Sequence, residues 1–332
     1  MPRREIMKAI VQDRYGSPDV LQLREVDTPV VGDDEVLVRV HAAGVDQGVW
    51  HVMAGLPYLI RLAGYGIRAP KNPVPGADLA GRVEAVGRGV TRFQPGDEVF
   101  GIGRGSFAEY ACAREDKLAA KPSNLSLEQA AAVAISGLPA LQGLRDHGKV
   151  RPGQKVLIIG ASGGVGTYAV QLAKALEAEV TAVCSTAKVD LVSSIGADHV
   201  IDYRRDDFAE RKHHYDVILD VGGNSSLSRL RRALTPKGKL VITGGETEGR
   251  WLGGFDRQIR ARLLSPFVGQ TLTTFISAEN YEDMIELKSF IEAGTVRPVI
   301  DRTFSLSEVP EAIRYLRDGR ARGKVVITVR AN

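Results

Sequence analysis

The part of the sequence that most constrains the fold is residues 155–174, where an apolar run, a glycine-rich turn and an amphipathic segment follow one another. The apolar run, 156–159, is rich in β-branched side chains, as in the interior strands of parallel sheets. After the turn, apolar residues recur at helical spacing and give the segment one apolar face. This stretch therefore predicts a buried strand, a tight turn and a helix.

Three glycines spaced three residues apart form the turn. Glycine permits a sharp change of direction, lets the backbone approach a pyrophosphate, and lets the helix pack close to the strand. The phosphates would lie against N–H groups at the positive end of the helix. Glycine turns also have purely structural uses, but a second predicted strand at 179–184 favours dinucleotide binding. The turn residues expected to contact the cofactor are Gly160, Ser162, Gly163, Gly164, Val165 and Gly166.

Size and charge limit the classes of function. The chain has 332 residues, 44% of them apolar and 25% charged, which suits a globular protein of about two domains. Its 44 basic and 40 acidic residues give a net charge of +4. Two short basic patches, 229–232 and 257–262, are interpreted as solvated helix faces because no aromatic residues interleave them. No nucleic-acid partner is expected.

Cysteine content and hydropathy bear on location. Cys112 and Cys184 are far apart and have no metal-binding spacing, so we expect no disulfide framework and a cytoplasmic protein. No run of about 18 apolar residues occurs, which predicts no membrane span and no membrane partner. Residues 1–6 precede a second methionine, Met7, and are interpreted as an extension or an alternative start rather than a targeting signal.

The pattern before residue 125 is rich in strands. Strands are predicted at 7–12, 21–26, 35–42, 80–86, 97–100 and 107–112, with a short helix over 46–53. An irregular, proline-rich stretch at 56–76 separates this helix from the strand that follows. A loop of this length in a compact domain favours a functional or mobile role. This part predicts a β-barrel with few helices.

From residue 125 onward, strands and helices alternate. After a helix over 127–135, strands are predicted at 156–160, 179–184, 199–203, 216–221 and 239–243. This alternation indicates a doubly wound parallel sheet. A helix over 277–293 and further short elements close the chain, and the last of them are expected to return to the β-rich domain.

Several short stretches carry a family resemblance: 43–45, 75–81, 94–99 and 161–166, supported by 196–203 and 323–326. In this order and spacing they resemble the medium-chain dehydrogenase/reductase superfamily, in its zinc-free quinone oxidoreductase branch. The resemblance implies an α/β protein with a GroES-like β-barrel catalytic domain, a doubly wound parallel-sheet Rossmann domain and a substrate cleft. It assigns 1–124 and 267–332 to the catalytic domain and 125–266 to the NADP-binding domain, and it implies a homodimer.

The sequence departs from zinc-carrying members of this superfamily. Asp46 stands where those relatives place a cysteine, Ala77 stands where they place a histidine, and the lobe with four closely spaced cysteines is missing. A catalytic zinc takes about three protein ligands. Asp46, His51 and Asp78 could supply some, but isolated His and Asp residues are usually satisfied polar groups. No metal is expected.

The segment after the second predicted Rossmann strand indicates the preferred cofactor. NAD-specific domains place an acidic residue about 20 positions beyond the glycine turn, and 183–188 contains none. Ser185 and Thr186 offer hydroxyls, and Lys188 offers a positive charge to a 2′-phosphate. By resemblance, Tyr203 matches a position that contacts this phosphate. The alternative, in which the hydroxyls cap the next helix and Lys188 is solvated, is compatible with phosphate binding, so NADPH is preferred.

Further cofactor contacts are expected from later parts of the chain, namely Gly222, Gly223, Gly244, Gly245, Phe267, Val268 and Lys324. One departure from the relatives lies at Pro139, where they often have threonine. The chain therefore lacks a hydroxyl, and a backbone N–H, at a position expected to face the nicotinamide.

Without a metal to polarise an alcohol oxygen, alcohol oxidation lacks its Lewis acid. A quinone or conjugated enone accepts hydride without one if it is aligned with the nicotinamide in a dry site. Asp46, His51 and Tyr58 are candidate catalytic residues, and Trp50 is a candidate for stacking on a flat substrate. The sequence therefore predicts an NADPH-dependent quinone or enone reductase.

Two other functions remain open. The first is an enoyl-thioester or alkenal reductase on the same fold, which a deep apolar channel through 56–66 would favour. The second is a non-enzymatic regulator that binds NADPH, since one fold hosts many functions.

Overall fold

The computed structural model describes residues 5–210, 212–223, 225–244, 249 and 251–329. The strands, in chain order, are β1 (Ile6–Val11), β2 (Gln22–Asp27), β3 (Glu35–Val45), β4 (Asp78–Val86), β5 (Glu98–Ile102), β6 (Tyr110–Arg114), β7 (Leu118–Ala120), β8 (Lys155–Ile159), β9 (Glu179–Cys184), β10 (His199–Asp202), β11 (Tyr215–Asp220), β12 (Leu234–Ile242), β13 (Thr271–Thr274), β14 (Ile300–Ser305) and β15 (Lys324–Thr328).

The helices are α1 (Gln47–Ala54), α2 (Leu127–Ala130), α3 (Ala134–Gln142), α4 (Gly164–Ala175), α5 (Val189–Ser194), α6 (Leu227–Ala233), α7 (Phe255–Leu264), α8 (Tyr281–Glu292) and α9 (Val309–Arg317). Within the described part of the chain, no helix is both long enough and apolar enough to cross a bilayer.

The chain divides into two compact units. Unit 1 consists of the residues up to Ser136, Glu279–Glu292 and the residues from Pro298 onward, and unit 2 consists of Gly137–Ala278 and Ala293–Arg297. Residues 125–136 thus belong to unit 1 and residues 267–278 to unit 2, whereas the domain limits expected from the sequence place each segment in the other half.

Unit 1 is built around a sheet in which β3 is a central strand. The strand order is β14-β15-β3-β4-β5-β7, with β6 also paired to β3, and β1 and β2 form a separate antiparallel pair. Val36, Val38 and Val40 of β3 are fully buried. Because alternate side chains of a strand share a face, they contribute together to the apolar core of this unit.

Unit 2 is built on a six-stranded parallel sheet with the order β10-β9-β8-β11-β12-β13. The side chains of 156–159 in β8 are buried, as expected when helices cover both faces of a parallel sheet. From β8 the chain continues to β9 and β10 on one side of the sheet and then to β11, β12 and β13 on the other side. The strand order therefore reverses between β8 and β11, which is the topological switch point. The edge at which these parallel strands end, called here the carboxyl edge, is where such sheets bind ligands.

Candidate functional site

The glycine turn leads directly from β8 into α4. Gly160 follows the strand with a φ of 84°, a left-handed conformation that glycine adopts without steric cost. A Cβ at Gly166 would lie 2.1 Å from the carbonyl oxygen of Gly160, so the helix packs against the turn more closely than any side chain allows. Ala161 N–H donates to the Val183 carbonyl at 3.1 Å. The turn is therefore attached to β9 as well as to β8.

The N-terminus of α4 has both space and donors for an anion. Gly163 is its N-cap residue and supplies no side chain to accept from the first-turn N–H groups, which a helix leaves without internal partners. Among the described residues, a Cβ at Gly163 would meet only the Gly160 carbonyl, at 3.5 Å. Chain packing therefore does not require glycine there. The turn, with Ser162, Gly164 and Val165, fits a phosphate group.

The residues predicted to select the cofactor lie together at the carboxyl edge. Ser185, Thr186 and Lys188 follow β9, and Tyr203 follows β10. Tyr203 N–H donates to the Cys184 carbonyl at 3.1 Å, which joins the two strand ends. The Tyr203 side chain is well exposed. The structure thus assembles the four predicted residues on neighbouring strands.

An acidic residue that the sequence interpretation overlooked lies in the same group. Asp202 ends β10, and its Oδ2 accepts from Thr186 Oγ1 at 2.6 Å while its Oδ1 accepts from Arg204 N–H at 3.1 Å. The Thr186 hydrogen bond is the main cause that lowers the pKa of Asp202, helped by Arg204 and Arg205 and opposed by desolvation. Asp202 is therefore charged at neutral pH, with both oxygens engaged.

A buried ion pair ties the loops of the carboxyl edge together. Arg257 in α7 donates from Nη1 to Asp220 Oδ2 at 2.5 Å and to the Ser225 carbonyl at 2.8 Å, and from Nη2 to the Gly244 carbonyl at 3.2 Å. Burial raises the pKa of Asp220, and the Arg257 charge opposes that rise. The interpretation of 257–262 as a solvated face is therefore wrong for Arg257, whose side chain is 11% exposed.

Three further predicted cofactor contacts lie at the carboxyl edge. Gly222 and Gly223 follow β11, and Gly244 follows β12. Gly222 N–H donates to the Ile159 carbonyl at 3.0 Å, which places it beside the glycine turn. Gly245 lies outside the described residues.

Phe267 and Val268 do not reach the carboxyl edge, contrary to the prediction. They precede β13, which runs parallel to β12, so they lie at the opposite edge of the sheet. The residues that follow β13 at the carboxyl edge are Phe275 and Ile276, and the Ile276 side chain is almost fully exposed. The prediction failed because β13 is short, with three threonines in its four residues, and has no apolar run to mark it as a strand.

Unit 1 contains a cavity of about 570 Å³, a volume typical of small-molecule sites. Asp46, Val49 and Val52 line it from α1 and its N-cap position. Asp46 is the N-cap residue, and its Oδ1 accepts from Val49 N–H at 3.1 Å. The irregular stretch 64–76 contributes much of the remaining lining. Part of the irregular stretch 56–76, for which the sequence predicts a functional or mobile role, therefore forms a wall of the cavity.

The other two candidate catalytic residues are engaged elsewhere in unit 1. His51 Nδ1 lies 2.9 Å from the Leu56 carbonyl oxygen, which fixes the orientation of the ring. The Tyr58 ring stacks with the Arg61 guanidinium, 4.8 Å from the ring centre. Among the described residues that line the cavity, Asp46 is the one candidate catalytic residue present.

Trp50 packs partly against the apolar core of unit 1. The guanidinium of Arg317 lies 3.6 Å from the centre of the Trp50 ring, a distance typical of a cation–π contact. Arg317 therefore covers one face of the Trp50 ring, which the sequence predicts as a stacking surface for the substrate.

Lys324, predicted to contact the cofactor, forms a buried ion pair within unit 1. Its Nζ donates to Asp78 Oδ2 at 2.9 Å, and both side chains are almost completely buried. Burial raises the pKa of Asp78 to about 6, although Lys324 opposes the rise, and the nearby Asp46 charge adds to it. Ile135 N–H donates to the second Asp78 oxygen at 3.3 Å.

The possible metal ligands do not form a group. Within the described residues, no three His, Cys, Asp or Glu side chains are close enough together to hold a metal ion. Asp78 is paired with Lys324, and His51 is oriented by a backbone carbonyl. The alternative in which Asp46, His51 and Asp78 supply ligands therefore has no support in the geometry.

Comparison with known proteins identifies the family. Residues 32–123 match the alcohol dehydrogenase GroES-like domain family, and residues 195–327 match a family described as zinc-binding dehydrogenase. A chloroplastic quinone oxidoreductase of Triphysaria versicolor is 34% identical, over 97% of this chain and 98% of that protein. A 2-methylene-furan-3-one reductase of Solanum lycopersicum is also 34% identical, over 97% of this chain and 79% of that protein.

Solved structures of a quinone oxidoreductase and an enoyl reductase have the same fold as this chain. The quinone oxidoreductase of Coxiella burnetii is 29% identical, with a TM-score of 0.84 over 98% of this chain and all of that one. The CurK enoyl reductase is 26% identical, with a TM-score of 0.84 over 97% of this chain and 99% of that one. The GroES-like and Rossmann fold class predicted from the sequence is confirmed. The chain belongs to the medium-chain dehydrogenase/reductase superfamily, in its quinone oxidoreductase-like family, and is a nicotinamide-dependent oxidoreductase.

Proposed function

We propose that this protein transfers hydride from NADPH to a quinone or conjugated enone without a metal. The observation that carries the proposal is the arrangement at the carboxyl edge of unit 2. There, an uncapped helix N-terminus follows the glycine turn, and Ser185, Lys188 and Tyr203 lie at the ends of the two neighbouring strands. A pyrophosphate and a 2′-phosphate are the anionic groups that such an arrangement suits.

The preference for NADPH rests on charge. The segment after β9 presents Lys188 and no acid, and the acid on the next strand, Asp202, is already bonded to Thr186 and Arg204. Arg205 Nε lies 3.6 Å from Asp202 and further offsets its charge. A 2′-phosphate would therefore meet a local excess of positive charge, which favours NADPH over NADH.

NADPH supplies the hydride when it is bound. The N-terminus of α4 binds the pyrophosphate, and Arg257 holds the loops after β11 and β12 in place. The cavity of unit 1 receives the acceptor, whose own π system takes up the negative charge that a metal would otherwise stabilise. Ala77 and Asp46, at the positions of zinc ligands in relatives, are consistent with this metal-free reaction.

We propose that no side chain is an obligatory acid and that solvent delivers the proton. His51 is tied to a backbone carbonyl and Tyr58 stacks with an arginine, which leaves Asp46 as the candidate acid in the cavity. The Asp46→Asn, His51→Ala and Tyr58→Phe variants should each lose less than the roughly 10²–10⁴-fold typical of a general acid.

The relatives support the acceptor class. Besides the quinone oxidoreductases, an Arabidopsis thaliana relative named NADPH-dependent alkenal/one oxidoreductase is 33% identical over 97% of this chain. The CurK enoyl reductase has the same TM-score to this chain, 0.84, as the Coxiella burnetii quinone oxidoreductase. An enoyl thioester therefore belongs among the acceptors to be tested.

The test is a panel of acceptors with the purified protein. NADPH oxidation should be rapid with small quinones and cyclic enones, and NADH oxidation with the same acceptors should be slower. Reduction of NADP⁺ by ethanol should be absent. Deuterium at C4 of NADPH should appear at the β-carbon of a reduced enone. Ethanol oxidation without quinone or enone turnover would contradict the proposal. Exclusive turnover of an enoyl thioester would support the alternative reductase, and NADPH binding without any turnover would support the regulator.

A further inference from the structure

The cavity of unit 1 contains a buried amide whose oxygen has no partner. Gln12 directly follows β1, is only 2% exposed and lines the cavity. Its Nε2 donates to the Met53 carbonyl at 3.4 Å, and its backbone N–H donates to the Pro73 carbonyl at 2.8 Å. Because the NH₂ group faces a carbonyl, the orientation of the amide is fixed. Its Oε1 is buried and has no hydrogen-bond partner among the described residues.

A second unpartnered oxygen lines the same cavity. Asp46 Oδ1 accepts from Val49 N–H, but its Oδ2 is buried without a partner within the described chain. Asp46 and Met53 lie at opposite ends of α1, and seven residues at 1.5 Å each separate them by about 10 Å. Two buried acceptors without partners in the described chain thus belong to residues that line the cavity, near the two ends of one helix.

Cationic side chains of the cavity do not serve these oxygens. Among the described residues, four cationic side chains line the cavity: Lys71, Arg104, Arg114 and Lys117. Arg104 pairs with Glu35 at 2.6 Å, Arg114 with Asp116 at 2.8 Å and Lys117 with Glu279 at 2.6 Å, and none of the four donates to Gln12 Oε1 or Asp46 Oδ2. A buried acceptor without a donor costs more free energy than an ordinary hydrogen bond contributes. A ligand that brings a donor to Gln12 Oε1 would remove that cost.

The surroundings favour a neutral donor. The apolar part of the lining is formed by Val49, Val52, Val74 and Ile102, among which a charged ammonium group would lose its hydration. The charged part of the described lining holds four cationic and three anionic side chains, which give an ammonium group no net attraction. A hydroxyl group loses far less and donates one hydrogen bond. A methoxy group of similar shape donates none.

We propose that Gln12 is a substrate-recognition residue that accepts a hydrogen bond from a hydroxyl group on the acceptor. This inference rests on the proposed reduction of quinones or enones. It narrows the acceptor class to compounds with a hydroxyl group that reaches Gln12 when the compound occupies the cavity of unit 1.

The experiment uses three acceptors that differ at one position: chalcone, and chalcone with a hydroxyl or a methoxy group at the para position of the acyl ring. Reduction by NADPH is measured well below the pKa of the phenol. The protein should prefer the hydroxyl compound by about tenfold in kcat/KM, as expected for satisfying one buried acceptor. The difference should lie mainly in KM.

Two variants at Gln12 and a matched control separate recognition from folding. Gln12→Met removes the oxygen that accepts the hydrogen bond, so the variant should reduce the hydroxyl and methoxy compounds about equally well. Gln12→Glu keeps such an oxygen and should retain the preference for the hydroxyl compound. Gln47 also has a buried Oε1 without a partner among the described residues, but it is absent from the described lining of the cavity. Gln47→Met should therefore leave the preference unchanged. Thermal unfolding confirms that each variant is folded.

The outcomes distinguish this inference from the proposed function. Equal turnover of the hydroxyl and methoxy compounds by the parent protein would show that Gln12 does not recognise the hydroxyl group and would overturn the inference, while the reductase function would stand. Loss of preference in Gln47→Met would overturn it too, because general loosening would then explain the effect. If no acceptor is reduced, the proposed function fails. In that case the inference is tested by binding alone: calorimetry should show that the parent protein binds the hydroxyl compound more tightly than Gln12→Met does, and equal affinities would overturn the inference.

Discussion

Lys188 is the residue on which we expect cofactor preference to depend most. A charge-assisted bond to a 2′-phosphate contributes roughly 1.5–3 kcal/mol, which is about ten- to a hundredfold in affinity. Lys188→Ala should therefore weaken NADPH binding by about that factor and leave NADH binding nearly unchanged. Fluorescence titration with both cofactors measures this.

Lys237 provides the control for that change. It is exposed in β12, before the buried part of the strand that leads to the carboxyl edge. Lys237→Ala makes the same change of net charge in the same unit and should alter neither affinity. Equal affinities of the parent protein for NADPH and NADH would contradict the role of Lys188.

The buried Asp78 makes stability depend on pH in a defined direction. Its pKa is raised to about 6, mainly by burial, so between about pH 4 and pH 6 the folded protein retains a proton that the unfolded chain releases. The contribution of Asp78 to the free energy of unfolding therefore falls as pH rises through this range, by about 2–3 kcal/mol.

Asp78→Asn removes this titration. Urea unfolding at several pH values should show that the stability of the parent protein minus that of the variant decreases between about pH 4 and pH 6. The loss of the partner of Lys324 adds an offset, but that offset should not vary in this range because a lysine stays charged there. A constant difference would contradict the raised pKa.

The position of most candidate cofactor residues at the carboxyl edge could be predicted, because they follow the ends of strands in the sequence. The ion pair of Asp220 and Arg257 could not be predicted, because 36 residues separate the two and neither lies in a motif. The available signal is a charged residue, Asp220, at the end of a buried strand, because a buried charge requires a partner. Gln12 gave no signal, since only the folded cavity shows that its oxygen lacks a donor.

At the scale of elements, the close packing of α4 on the turn after β8 predicts different costs for two neighbouring glycines. A methyl group at Gly166 would collide with the Gly160 carbonyl at 2.1 Å, and backbone cannot move aside as a flexible side chain can. Gly166→Ala should lower the free energy of unfolding by about 1–3 kcal/mol or more. Thermal and urea unfolding without ligand measure this.

Gly163→Ala is the matched change at the N-cap position. Its backbone is extended, with a φ of −87°, and the added methyl group would make one ordinary contact at 3.5 Å. Stability should change by less than about 1 kcal/mol, while NADPH affinity should fall because the methyl group takes space used by the phosphate. An unchanged NADPH affinity in this variant would contradict the phosphate site.

Strands with buried faces were predictable, whereas the edge strand was not. Strands near 156, 179, 199, 216 and 239 were predicted and are present as β8 to β12, because apolar runs between turns mark them. In β13, Leu272 is the one buried residue beside three threonines. Edge strands need few apolar residues, and missing this one misplaced Phe267 and Val268.

At the scale of the whole molecule, activity should not depend on a metal. Treatment with a strong chelator, followed by elemental analysis and assay with NADPH and a quinone, should leave turnover unchanged, because the chain lacks the cysteine and histidine that zinc-carrying relatives place at Asp46 and Ala77. A zinc-dependent alcohol dehydrogenase treated in parallel should lose activity. Stoichiometric zinc whose removal abolishes turnover would contradict this prediction.

The central sheet of unit 1 joins distant parts of the sequence, since Val325 of β15 pairs with Val45 of β3. During synthesis, all six strands of unit 2 leave the ribosome before β15 is made. The sheet of unit 2 can therefore pair early, while β3 still lacks one neighbour. A nascent chain can thus form the sheet of unit 2 before the sheet of unit 1 is complete, because β15 follows every strand of unit 2 in the sequence.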